Sequence, residues 1–61
     1  ETLYAVIAAA LAEVGEDATV LRVETDADGH AIYEAHMLAA DGTLVTVYVN
    51  ESFAVAMSLR K

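Results

Sequence analysis

Sixty-one residues form one domain at most, and a chain this short buries only about 60% of the surface its unfolded form exposes, so its core is thin. Ten Asp and Glu against three Lys and Arg leave a formal charge of -7, which makes nucleic acid and anionic membrane poor partners by repulsion. With no cysteine there is no disulfide to support the fold, and 57% apolar content in so small a body leaves apolar surface in water unless a partner covers it.

The chain begins at Glu1 rather than at a methionine, which points to a processed or trimmed chain. Leu3 to Val14 then reads as a helix, because Ala and Leu dominate, Thr2 can serve as N-cap and Gly15 stands where a left-handed C-cap residue is wanted. Thr2 to Ala12 is uncharged but far shorter than the roughly 18 apolar residues of a membrane span, and no basic leader of a signal peptide precedes it. Leu3, Val6, Ile7, Ala10 and Val14 follow the three-and-four spacing of a core-facing stripe. Beyond that stripe lie Tyr4, Ile7, Ala8 and Leu11 on the shoulder and Ala5, Ala9 and Ala12 on the back. A helix apolar all round is a buried helix, and one sheet covers only one side of it, so Tyr4, Ile7, Ala8, Leu11 and Ala12 are expected to meet a second body.

From Thr19 the character becomes β-branched and alternating, which predicts strands over 19–25, 31–39, 43–49 and 53–59. Asp28-Gly29 and Asp41-Gly42 are the hairpin signals, since the favoured primed turns need positive φ at their central residues, and Asn50-Glu51-Ser52 makes a looser third turn. Strict alternation places Leu21, Val23, Tyr33, Ala35, Met37, Val45, Val47, Val49, Phe53, Val55, Met57 and Leu59 on the core side. The expected architecture is α+β: one N-terminal helix packed on a four-stranded antiparallel meander sheet. The outer sheet face then mixes Arg22, Glu24, Glu34, His36 and Thr46 with Val20, Ile32, Leu38, Leu44, Tyr48, Ala54 and Ala56. Leu38, Tyr48, Ala54 and Ala56 are its candidate interface residues. Neither edge strand carries proline or an inward charge, so edge pairing with a second copy is open as well.

The hairpin segment holds a more specific pattern: Tyr33-Glu34-Ala35-His36-Met37, Ala40-Asp41-Gly42-Thr43, Val45-Thr46-Val47, then Asn50-Glu51 and Phe53. With Ala18 to Asp28 and the alanine-rich helix, this resembles the PepSY domain family over roughly residues 3 to 57. The resemblance implies an extracytoplasmic bacterial module that binds or modulates a protease or a neighbouring domain, with no catalysis and no fixed site residues. Such domains carry charge where this chain has Tyr4, Ala8, Leu11, Leu38, Ala39, Tyr48, Ala54 and Ala56, a departure that suggests a scaffold re-surfaced for assembly or partner binding.

Templates for chemistry are incomplete. Glu24-Thr25-Asp26-Ala27-Asp28-Gly29 opens like an EF-hand loop, but Ile32 and Ala35 stand where the ninth and twelfth ligands belong, so a solvated turn is expected rather than calcium. His30 and His36 lie six apart, roughly 20 Å along a strand, and cannot share one metal; His36 beside Glu34 would need symmetry copies to complete a ligand set. No nucleophile elbow, phosphate-cradling loop or tuned carboxylate pair is present. The expectation is therefore a non-catalytic module without cofactor or metal that binds itself or another protein.

Overall fold

A computed structural model describes residues 2–25 and 31–61. The order is α1 (Thr2–Val14), β1 (Thr19–Thr25), β2 (Tyr33–Leu38), β3 (Leu44–Val49) and β4 (Val55–Arg60), and the strands pair antiparallel in the order β1-β2-β3-β4. This is the α+β helix-on-meander arrangement. The helix touches all four strands and covers one face of the sheet only. Asp28-Gly29, His30 and the acids Asp26 and Asp28 of the EF-hand-like stretch lie outside the described residues.

Thr2 stands inside α1 rather than capping it. At the other end Gly15 takes φ 134 and its amide donates to the Leu11 carbonyl at 2.8 Å, closing the last turn in a conformation that side-chain-bearing residues rarely adopt.

The β2–β3 hairpin turns at Asp41-Gly42, as the sequence suggests, but not as a primed turn with positive φ at both residues. Ala39 donates to Thr43 at 2.8 Å and Gly42 donates to Ala39 at 2.9 Å, so the loop holds three residues and only its last, Gly42 at φ 89, needs a positive φ. The Asp41 carboxylate accepts the Thr43 amide at 3.0 Å and fixes that corner. The β3–β4 turn repeats the plan: Asn50 donates to Ala54 and Phe53 donates to Asn50, both at 2.9 Å. Here the left-handed position is filled by Phe53 at φ 63, a residue with no steric excuse for it.

Val6 and Ala10 of the helix, Ala35 and Met37 of β2, and Val45, Val47 and Val49 of β3 form the fully buried core. Ala9, Leu11, Val14, Val20, Val23, Tyr33 and Val55 pack around it. The buried line of the helix therefore runs Val6, Ala10, Val14, while the expected core residue Leu3 is 51% exposed and Ile7 is only half-buried.

Two bulges correct the sheet faces expected from strict alternation. In β1, Val20 pairs with Met37 and Arg22 with His36, so Leu21 is the extra residue. Val20 turns inward, and Leu21 is left 52% exposed. In β4, Val55 pairs with Val49 and Met57 with Tyr48, so Ala56 is the extra residue. Beyond it, Met57 and Leu59 share the outer face with Tyr48 and Thr46, and Ser58 turns inward, where its hydroxyl donates to the Glu13 carboxylate of the helix at 3.1 Å. Leu21, Met57 and Leu59 thus leave the core side, and Phe53 sits in the turn, stacked on Tyr33 with ring centroids 6.3 Å apart.

Candidate functional site

Among the described residues no helix lies over the outer sheet face. Register and bulges put Leu21 and Arg22 of β1, Glu34, His36 and Leu38 of β2, Leu44, Thr46 and Tyr48 of β3, and Met57 and Leu59 of β4 on this face. Leu38 lies directly across from Leu44, and Leu59 directly across from Thr46. Leu21, Leu44 and Leu59 are each about half exposed, at 52%, 47% and 49%. Leu21 and Leu44 wall a shallow depression of about 340 Å³ whose other sides are Arg22, His36, Thr46 and Lys61. Two of the three basic side chains of an acidic chain therefore border this apolar hollow.

Beside the hollow lies a polar cluster that β1 and β2 build together. Glu24 and Glu34 are direct cross-strand partners, and His36 follows Glu34 by two residues on the same face. The His36 Nε2 lies 3.2 Å from Glu24 Oε1 and 3.3 Å from Glu34 Oε1. A carboxylate only accepts, so in a hydrogen bond to either oxygen this nitrogen is the donor. Arg22 Nε binds the second oxygen of Glu24 at 3.2 Å. The Glu24 and Arg22 side chains stand well in solvent, whereas Glu34 and His36 are largely covered.

The candidate interface residues fall into three groups. Tyr4, Ala8 and Ala12 form an exposed line along α1, with Tyr4 73% accessible, while Ile7 and Leu11 are half-buried and Leu11 packs against the core. Leu38 is half-buried on the outer face, and Tyr48 is on that face but only 8% exposed, being flanked across the strands by Glu34 and Met57. Ala54 and Ala56 are exposed at the entry to β4 and at its bulge. Leu44 was placed on the outer face by the sequence, whereas Leu21 and Leu59 were missed as surface residues, as was the approach of Glu24 to His36.

No protein-family model matches the chain, and neither a curated protein nor a solved structure matches it.

Proposed function

We propose that this chain is a non-catalytic binding module that associates with a second copy of itself through the uncovered sheet face. The observation that carries the reading is the three half-exposed leucines, Leu21, Leu44 and Leu59, on a sheet face that no other described element covers. Burying the remaining half of such a side chain is worth on the order of 1 kcal/mol each, which leaving them in water forgoes.

Self-association is favoured over a foreign partner because the face carries both signs of charge. Arg22 and Lys61 border the hollow, and Glu24 and Glu34 lie beside it. A two-fold contact brings one patch against its own copy, so residues of one sign can face residues of the other despite a net charge of -7. Tyr4, Ala8 and Ala12 on the opposite side give a second, narrower surface for higher assembly.

Light scattering after gel filtration tests this. The chain at micromolar concentration is expected to run at a multiple of 6.5 kDa, and the double change Leu21→Gln, Leu44→Gln to bring it to the monomer mass. A wild-type monomer throughout would refute self-association and favour a PepSY-like module whose partner is a protease or a neighbouring domain, to be sought by inhibition assays on secreted metalloproteases.

A further inference from the structure

We propose that Glu24, Glu34 and His36 form a three-ligand site for a divalent cation of the zinc type on the uncovered sheet face. One atom from each residue converges, Oε1 of Glu24, Oε1 of Glu34 and Nε2 of His36, and the possible ligand atoms all lie within 4.8 Å of one another. The distance of the nitrogen from each oxygen, which also suits a hydrogen bond, is close to that between neighbouring ligands of a tetrahedral ion. A tetrahedral ion with bonds of about 2.0–2.2 Å sets its ligand atoms about 3.3–3.5 Å apart. The two nitrogen-to-oxygen separations are 3.2 and 3.3 Å. Octahedral magnesium, with bonds of about 2.0–2.1 Å, would need its neighbouring ligands closer, about 2.9 Å, and both magnesium and calcium prefer oxygen to imidazole.

The backbone fixes the three positions. Glu24 and Glu34 are opposed across the β1–β2 ladder, and like charges in that relation repel unless a positive group lies between them. His36 aims its Nε2 into that gap, where the nitrogen must carry either a proton or a metal. Arg22 holds the other oxygen of Glu24, which leaves Oε1 turned to the site and orients the carboxylate as outer-shell donors do around bound metals. Its guanidinium is a like charge close to the cation, a cost that the high dielectric around a 66% exposed side chain lowers. Three protein ligands beside open solvent leave a fourth position for water, the arrangement of an accessible rather than a sealed zinc site.

Isothermal titration of the untagged chain with zinc chloride decides the matter. One zinc per chain is expected, with no saturable binding of magnesium or calcium under the same conditions. His36→Gln and Glu34→Gln should each weaken zinc binding by more than about tenfold, since a direct ligand counts for at least as much as an outer-shell partner. His30→Gln should leave it unchanged. Absence of saturation at one per chain, wild-type affinity in His36→Gln, or loss in His30→Gln would each overturn the site. Should a ligand variant fail to fold, imidazole nitrogen shifts in the wild-type chain decide: zinc must move the His36 ring and leave the His30 ring in place. The same titration on the Leu21→Gln, Leu44→Gln chain separates this inference from self-association, because one zinc per chain is expected there even as the mass falls.

Discussion

The bulge at Ala56 decides which residues of β4 belong to the core and which to the candidate interface, and it can be tested by comparing three truncations. Met37 is 1% exposed in the middle of the core, so Met37→Ala removes a fully packed side chain and should cost about 2–5 kcal/mol. A chain of this length has on the order of 3–9 kcal/mol of stability in all, so that loss takes a large share of it or all of it. Leu59 is 49% exposed on the outer face, and losing its buried half in Leu59→Ser should cost only about 1 kcal/mol. Met57, half-buried beside Tyr48, should fall between them in Met57→Ala. Urea unfolding followed by far-ultraviolet circular dichroism gives all three values. It should be run below the concentration of association, because a dimer adds concentration-dependent stability. Strict alternation without the bulge would place Leu59 in the core and Ser58 outside. A cost for Leu59→Ser equal to that of Met37→Ala would therefore refute both the register and the interface built on it.

Phe53 holds a left-handed conformation at φ 63 in the turn position where the preceding hairpin uses Gly42, and its ring is stacked on Tyr33. Both Phe53→Ala and Phe53→Gly lose the ring, but only glycine relieves the backbone, so the glycine variant should be more stable than the alanine variant by about 1 kcal/mol in urea unfolding, and equal or reversed stabilities would refute the strain. The acid limb of stability should carry a contribution from Asp41, whose carboxyl is held below the ordinary carboxylate range by hydrogen bonds from the Thr43 hydroxyl and amide. A folded value below the unfolded one means that this stabilisation is present above the unfolded value, about 3.9, and is lost as pH falls through the folded value. Asp41→Ala should flatten the fall in urea midpoint over that range, and an unchanged slope would count against the bond.

The fold class was legible because two periodicities are written plainly into the chain. Ala and Leu fill Leu3 to Val14 up to Gly15, and β-branched residues alternate after Thr19. Alternation located the two central strands well, since Ala35, Met37, Val45, Val47 and Val49 are buried in step. It failed on both edge strands, where one extra residue reverses every side chain beyond it. A trace of the first reversal is present in the sequence, for Val20 and Val23 stand three apart with Arg22 between them, a spacing that no regular strand can turn to one face. The second has the polar Ser58 between Met57 and Leu59 as its only mark, and that residue reads equally well as an outward one until its bond to Glu13 is seen. The sequence placed Glu24, Glu34 and His36 on one face and His36 beside Glu34, but the approach of Glu24 to the same nitrogen was not legible. It depends on the register of β1 against β2, which places Glu24 across from Glu34 and which no local pattern specifies.

The two bulges also bear on how copies of this chain can meet. β1 and β4 are the edges of the sheet, and each has its ladder interrupted by one unpaired residue, Leu21 in the first and Ala56 in the second. A bulge twists an edge away from the flat geometry that strand-to-strand addition requires, so the lack of proline on either edge leaves less exposure to edge pairing than the sequence implies. The same irregularities turn Leu21, Met57 and Leu59 onto the face that the helix leaves open. Each device that discourages association along the edges thus adds apolar area to the broad face, and both effects support the proposal that a second copy lies across the sheet rather than beside it.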